Sequence, residues 1–248
     1  MSRRTLFRHS CALALLSAPV FASAAPVTDP QFTFGLLGSY NDFRFQGGSQ
    51  NDKDHIGEGG VFANFGNKMT GESGLIYQVG AQAKYFEDDG DKLKEAQADL
   101  DIGWRAALDA RNFVDVLVGA GYSWSRYEID LRREDVELSN KAPFAKAALG
   151  YNHQFDTATL RVEAGARHTI DGRAKIKVKD FGHDSVDLKD RLNPYAEVSL
   201  LMNRDGDLPI FAGLYYEHTI YKLDESTYIA DDTRLKRHEY GVKVGLAF

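Results

Sequence analysis

The sequence predicts an all-β protein: a closed antiparallel transmembrane β-barrel of ten strands, with eight strands as the alternative. Segments of about ten residues alternate apolar with polar side chains, which is typical of strands that span a membrane. Short turns alternate along the chain with longer polar stretches. No apolar stretch reaches the roughly 18 residues that a membrane-spanning helix needs, although 43% of the 248 residues are hydrophobic.

The composition excludes several classes of protein. The apolar fraction is too high for a disordered chain. A net charge of −6 gives no attraction to phosphate backbones, so we expect no nucleic-acid partner. The single cysteine, Cys11, lies in the leader described next. The folded domain must therefore hold together without disulfides, which a closed barrel can do because every strand is paired on both sides.

A secretory signal peptide is predicted over residues 1–24. Three arginines within the first eight residues precede an apolar run over residues 11–21, and Ala22-Ser23-Ala24 places small residues at the cleavage positions. Cleavage there leaves residues 25–248 as one barrel domain. We therefore expect export through the periplasm to the bacterial outer membrane.

The last strand has the clearest alternation. Aromatic or aliphatic side chains occupy every second position from Tyr240 to Phe248, and charged or small residues lie between them. Because successive side chains of a strand point to opposite faces, we expect one face toward lipid and the other toward the barrel interior. A final strand that ends in Phe resembles the signal recognised by the bacterial outer-membrane barrel assembly machinery, which makes that machinery an expected partner.

The same period recurs upstream, where further apolar rows begin at Ala96, Val114, Leu160 and Ile210. Periplasmic turns are predicted at Asn67–Glu72, Asp109–Asn112, Asp156–Thr157 and Asn203–Leu208. Extracellular loops are predicted at Gln46–His55, Asp88–Lys92, Asp130–Asn140, Gly172–Asp190 and Glu225–Thr233. These connections join ten strands with both termini in the periplasm. Merging a hairpin in residues 172–190, whose own alternation suggests a hairpin projecting above the membrane, would leave eight.

Charged residues of both signs occupy the predicted inward rows. The acids are Glu58, Asp99, Asp101, Asp115, Glu163, Glu197, Glu217 and Glu239, and the bases are Lys84, Arg105, Lys146, Arg161, Arg167 and Lys243. In a barrel little wider than one of eight strands, whose interior side chains just fill it, opposed charges can bridge the lumen. The rows predict an internal ion-pair network; the alternative is a narrow water-filled pore, since glycines share these rows.

Aromatic residues cluster near the predicted strand ends, where membrane barrels carry interfacial girdles. Those expected at the inner rim are Phe32, Phe34, Phe155 and Phe248, and those at the outer rim are Tyr40, Tyr85, Tyr122, Trp124 and Tyr216.

Two segments carry a family resemblance. Asp99-Leu100-Asp101-Ile102 is followed by Trp104, and Gly119-Ala120-Gly121-Tyr122 is followed by Ser125-Arg126-Tyr127. They resemble strands of the omptins, ten-stranded outer-membrane proteases. The resemblance implies a ten-stranded barrel that depends on lipopolysaccharide, with an Asp-x-Asp pair and an Asp-x-His pair on opposite rims that activate water.

The candidate catalytic residues follow from that resemblance. Asp89-Gly90-Asp91 matches the first pair, and a carboxylate pair with a His-Asp dyad could act on water as a general base. Asp180 and His183 are the candidates for the second pair. They are three residues apart, so an extended strand places them on opposite faces unless Gly182 forms a bulge. The alternative is that these acids form a solvated turn and His183 is an ordinary loop histidine.

The candidate ligand-binding residues are Lys175, Lys177 and Lys179, which alternate with apolar residues and so share one face of a predicted strand. Three ammonium groups in a row suit the phosphates of lipopolysaccharide or another anionic polymer. The alternative is a strand edge that lysines protect against aggregation. Four further basic residues could extend this rim: Arg132, Arg133, Lys236 and Arg237.

No nucleophile motif, metal-ligand spacing or phosphate loop is present, so we expect no cofactor and no metal site. The expected function is that of a monomeric, non-enzymatic outer-membrane surface protein whose extracellular loops contact lipopolysaccharide or host and matrix molecules. An omptin-like endopeptidase and a narrow diffusion channel are the alternatives.

Overall fold

The computed structural model describes residues 30–47, 50–88, 91–131, 134–178, 182–222 and 234–248. These residues form twelve strands, which we number in chain order. The strands are β1 (Gln31–Gly47), β2 (Gln50–Gly66), β3 (Gly74–Asp88), β4 (Asp91–Ala107), β5 (Asn112–Leu131), β6 (Glu134–Gln154), β7 (Thr159–Thr169), β8 (Gly172–Val178), β9 (Gly182–Leu188), β10 (Leu192–Met202), β11 (Ile210–Lys222) and β12 (Arg234–Ala247). In this part of the chain, no helix is long and apolar enough to cross a membrane.

Ten of the strands close into an antiparallel ring. Each pairs with its neighbours in the order β1 to β7 and then β10 to β12, and the ring closes where β1 pairs with β12. At this seam Gly35 faces Gly245, and a Cβ on either residue would collide with the backbone of the other strand. The predicted closed barrel of ten strands is therefore confirmed.

The hairpin β8–β9 stands outside the ring. Strand β7 ends at Thr169, which pairs with Phe144, but β6 continues for roughly ten more residues, or about 33 Å along the strand. Over that extension β6 pairs with β8, and β8 pairs with β9. Residues 172–190 thus contain the projecting hairpin that their alternation predicted. They make one side of the barrel, which we call the tall wall (β4, β5, β6, β8 and β9), much higher than the side at β7 and β10.

The two faces of the strands differ as the alternation predicts. The outer face carries the exposed apolar side chains, which include Leu36, Val61, Leu75, Trp104, Val116, Val118, Leu149, Leu214 and Val244. Charged side chains such as Asp101, Arg105 and Asp115 point inward and are buried. Apolar residues thus surround an interior that contains many charged groups together with two small apolar clusters, which is the arrangement of a membrane barrel.

The four predicted turns are confirmed at one end of the barrel, which we call the turn end; the opposite end is the loop end. The loops predicted at Gln46–His55 and Asp130–Asn140 are largely wrong, because β1, β2, β5 and β6 continue through most of these residues. Their backbone groups remain satisfied by cross-strand hydrogen bonds even though the side chains are polar. Residues 1–24 and the loop at 225–233 lie outside the described residues.

Candidate functional site

The first turn folds into the barrel and fills its turn end. Lys68 is only 4% exposed, and its Nζ binds the carboxylates of Asp101 and Glu163. Its backbone carbonyl accepts hydrogen bonds from Arg105 Nη2 and Asn152 Nδ2, at 2.6 Å each. The turn is therefore held at both its side chain and its backbone, which makes it a plug.

A second cation reaches inward from the last turn. Arg204 is buried and donates to Gln154 and Thr159 inside the barrel, and to the backbone carbonyl of Asp156 on the neighbouring turn. Arg161 and Arg105 share Asp115 just above. The ion-pair network predicted for the lumen is thus confirmed, and it extends to the turns.

A separate charge cluster lies nearer the loop end, which we call the upper cluster. Lys84 Nζ lies 3.0 Å from Glu58, 2.6 Å from Glu95 and 2.7 Å from Glu239. Arg237 binds the same three carboxylates. The three acids lie close enough to hold a metal ion, but Lys84 and Arg237 already occupy the space between them. The suggestion that Arg237 extends a basic rim is wrong, because it shares the inward face of β12 with Glu239 and is 6% exposed.

The charged groups leave little open space between the plug and the upper cluster. One cavity of about 80 Å³ lies above Lys68, and another of about 70 Å³ lies beside the upper cluster. Gln82, Gln97 and Arg167 line both cavities and lie between them. Each cavity suits a few water molecules bound to polar groups.

The candidate catalytic residues do not come together in the described structure. Asp89 and Asp180 lie outside the described residues. Asp91 begins β4, and the hydroxyl of Tyr127 lies 3.4 Å from its carboxylate. His183 lies on β9, opposite Lys177 of β8. Pairing runs across the tall wall from β4 through β5, β6 and β8 to β9. Four strand spacings therefore separate the strands of Asp91 and His183, about 19 Å along the sheet.

The residues that carry the omptin resemblance have structural partners. Asp99 and Asp101 point inward, where Lys146 Nζ lies 3.2 Å and 2.6 Å from their carboxylates. Gly121 leaves room for the ring of Phe144, because a Cβ there would collide with it. These residues therefore build the filled interior.

The candidate lysines lie on the outer face of the tall wall. Lys175 and Lys177 are exposed on β8, next to Arg173, while Lys179 lies outside the described residues. On the neighbouring strand β6, Lys141 pairs with Arg173. We call Lys141, Arg173, Lys175 and Lys177 the basic strip. Among the described residues, no carboxylate forms an ion pair with any of its three lysines, and Arg173 lies 3.6 Å from Asp187.

A shallow apolar groove lies beside the basic strip. Its cavity of about 570 Å³ is lined on the outer face by Val61, Ala63, Ala81, Ala83, Ala96, Ala98, Tyr122 and Trp124. One row of directly paired residues joins the groove to the strip: Ala83, Ala96, Trp124, Lys141 and Arg173. Trp124 is one of the residues predicted for the outer aromatic girdle, and Lys141 of the strip lies directly opposite it on β6. The guanidinium of Arg126 lies 5.7 Å from the Trp124 ring centroid.

Reasoning from the sequence missed Lys68, Arg204 and Glu95 as partners of the lumen network. Glu95 lies at the same alternate positions of β4 as Asp99 and Asp101, so the alternation indicates that its side chain also points inward. The two turn residues follow no period, and nothing in the sequence indicates that a turn enters the barrel.

Comparison with known proteins gives one family match. The model of the outer membrane protein beta-barrel domain matches residues 10–203. The translocator domain of the autotransporter NalP from Neisseria meningitidis is 13% identical, with 87% of this chain and 88% of that chain covered and a TM-score of 0.43. For the outer membrane protein AlkL, identity is 12%, coverage 92% and 93%, and TM-score 0.41. Ail of Yersinia pestis is 14% identical, with 89% of this chain and 100% of that chain covered and a TM-score of 0.32. A search of curated proteins gave no match.

Proposed function

The chain belongs to the outer membrane β-barrel family, and from this premise we propose that it is a non-enzymatic surface protein that binds lipopolysaccharide on its tall wall. The loop end faces the cell exterior and the turn end faces the periplasm. The predicted signal peptide, residues 1–24, and recognition of the strand ending at Phe248 by the barrel assembly machinery belong to the same proposal.

The observation that carries the proposal is the basic strip on the outer face. Lys141 stands beside Trp124, and Arg173, Lys175 and Lys177 continue upward on β8. Lipopolysaccharide phosphates lie at the outer interface, just above the aromatic girdle. Basic residues at a membrane surface each gain about 1 kcal/mol from anionic lipid headgroups. Within the described ranges the three lysines form no ion pair, and Glu137, which lies opposite Lys177, binds Arg126. The positive charge of the strip therefore matches the negative charge of that lipid.

The alanine-lined groove supplies the apolar part of the site. Its small side chains leave a depression beside the rings of Tyr122 and Trp124, and an acyl chain lying there would gain dispersion contacts with both. The groove and the strip are neighbours along one row of paired residues, so one lipid molecule can contact both. This geometry distinguishes a lipid site from a general basic surface.

The interior supports a surface protein in preference to a diffusion channel. The plug at the turn end and the upper cluster lie across the described part of the lumen, and the two cavities between them hold only about 80 Å³ and 70 Å³. The separation of Asp91 from His183 likewise supports a non-enzymatic role, because a shared water molecule must lie within hydrogen-bond reach of both groups.

Binding of fluorescent lipopolysaccharide to the protein in phosphatidylcholine nanodiscs tests the proposal. We expect Lys175→Ala with Lys177→Ala to weaken binding by about 30-fold, which corresponds to about 1 kcal/mol for each lysine. Arg44→Ala with Lys236→Ala is the control for total charge, because it removes two positive charges from directly paired residues of β1 and β12, away from the strip; Arg44 is paired with Asp42 at 2.8 Å. We expect the control to change affinity less than about threefold.

A second variant tests the groove separately from charge. Ala98→Trp fills the depression without altering the basic strip, and we expect it to weaken lipopolysaccharide binding while leaving binding of soluble heparin unchanged. Equal losses in the two charge variants would contradict a specific site. If Lys175→Ala with Lys177→Ala loses heparin binding but keeps lipopolysaccharide binding, the strip binds an anionic polymer of host or matrix. Peptide cleavage that Asp91→Asn abolishes would overturn the non-enzymatic proposal.

A further inference from the structure

An apolar cup opens at the loop end, inside the barrel and directly above the upper cluster. Its volume is about 360 Å³. Seven apolar or aromatic residues line it: Phe43, Ile56, Leu93, Tyr127, Leu138, Tyr221 and Leu235. Arg237 and Glu95 form its floor, Ser125 and Asn140 lie on one side, and Lys53 and Asp54 complete the lining. The cup is separate from the basic strip, which lies on the outer face.

Directly above the upper cluster, the inward side chains of several strands are apolar. On β2, β4 and β12 the change from polar to apolar takes a single step along the inward face, from Glu58 to Ile56, from Glu95 to Leu93 and from Arg237 to Leu235. Cross-strand pairing places Leu93 beside Tyr127, and Tyr127 beside Leu138. The apolar side chains therefore form one layer that several strands build together.

Part of the apolar surface of this layer is exposed to the cavity. Ile56 and Leu93 are buried, whereas Leu138, Tyr221 and Leu235 are partly exposed to the cavity. Keeping such surface in water costs about 25 cal/mol for each Å². The cavities deeper in the barrel are much smaller, and charged and amide groups line them together with aromatic side chains such as Phe62, Phe144 and Tyr195. Known small-molecule sites occupy about 300–1,000 Å³ and are mainly apolar with a few placed polar groups, and the cup meets both criteria at the small end of the range.

We propose that the cup binds a small uncharged molecule with a mainly apolar body and one hydrogen-bonding group. The floor determines the charge of the ligand. Arg237 already binds Glu95, Glu58, Glu239 and the side-chain oxygen of Asn41, so it offers no unpaired charge. An anion would meet no unpaired cation on this floor, and a cation would lose its hydration beside the Arg237 guanidinium, so an uncharged ligand fits best.

The hydrogen-bonding group of the ligand contacts the side of the cup that is formed by Ser125 and Asn140. Asn140 Nδ2 donates to Ser125 Oγ at 3.3 Å, and the oxygen of the Asn140 amide and the hydroxyl hydrogen of Ser125 can still bond to a ligand hydroxyl. The aromatic rings of Phe43, Tyr127 and Tyr221 favour a flat ligand. The upper cluster forms the floor of the cup, and the cavity beside it, of about 70 Å³, is too small for such a ligand, so the ligand is held in the cup.

Methyl NMR with 1-naphthol as the probe tests this inference in nanodiscs. We expect saturable shifts of the methyl signals of Ile56, Leu93, Leu138 and Leu235. Val116 and Val118 on the lipid-facing side report how the probe partitions into the bilayer, and we expect their shifts to be small and linear. Shifts of the same size and form at both sets of methyl groups would overturn the inference.

Filling the cup gives the matched test. We expect Leu138→Trp to weaken 1-naphthol binding at least about tenfold, which is about 1.4 kcal/mol, and Leu138→Met to leave it within about threefold. Leu235→Trp provides the same test from another strand if the first variant does not show the gel mobility of a folded barrel. Unchanged saturable binding in a folded Trp variant would place the ligand elsewhere and contradict the proposal.

Discussion

The upper cluster allows a quantitative test of what stabilises the barrel. Lys84 is almost fully buried and its Nζ contacts Glu58, Glu95 and Glu239 at 2.6 to 3.0 Å. With Arg237, the five groups carry three negative and two positive charges. Lys84→Met keeps the length of the side chain but leaves three carboxylates around a single guanidinium. Removing one partner from a buried ion pair typically costs about 3–5 kcal/mol, because the remaining charge is uncompensated.

A compensating variant separates charge from packing. Lys84→Met with Glu58→Gln restores one excess negative charge, so we expect it to recover at least about half of the lost stability. Lys94→Met is the surface control, since the Lys94 Nζ lies 3.5 Å from Glu128 in a half-exposed pair that is worth about 0–1 kcal/mol.

The assay is equilibrium unfolding in urea of protein inserted into lipid vesicles. The fraction folded is followed by tryptophan fluorescence and by the difference in gel mobility between unheated and boiled samples. A loss below about 1 kcal/mol in Lys84→Met would refute the reasoning. A double variant less stable than the single variant would show that the side chain matters for packing and that its charge does not.

Three further predictions test the interior and the outer face. Gly121→Ala should lower the free energy of unfolding by about 2 kcal/mol in the same assay, because its Cβ meets the ring of Phe144. Gly59→Ala has open space around it and should change the stability little. Equal losses would contradict the packing argument. Lys68→Ala should cost about 3 kcal/mol and expose residues 67–73 to protease added on the side of the turn end. An uncleaved turn would show that its backbone contacts suffice. His218 lies beyond the outer girdle, where burial, and after it the charge of His238, lower its pKa below 6.5. The unfolded chain therefore binds the proton more readily, and the stability of the folded protein should fall as the pH drops through about 6.5. NMR titration should show the lowered pKa, and His218→Gln should flatten the dependence of stability on pH.

Alternation made most of the barrel predictable from the sequence. From Tyr240 to Phe248 one face meets lipid and the other meets charged groups, so the period of two follows from the surroundings. Above the membrane both faces of a strand meet water or polar groups, and the period weakens. For this reason polar residues 50–55 were predicted as a loop although they belong to β2.

The sites were less predictable than the strands because they depend on which strands are neighbours. Lys175 and Lys177 could be placed on one face, but their proximity to Lys141 and Trp124 depends on β8 pairing with β6. The cup likewise draws its seven apolar residues from seven strands that extend from β1 to β12. The plug at Lys68 lies in a turn, where no period indicates the direction of a side chain.

The seam between β1 and β12 has a consequence for biogenesis. The two strands that complete the ring are near opposite ends of the chain, so the ring cannot close until the last strand has been synthesised. Before closure, at least two strands have unpaired backbone groups along an edge, which the hydrocarbon region of a membrane does not tolerate. Insertion and closure must therefore be coupled, and a factor that holds the last strand in place would shelter that edge until β1 replaces it.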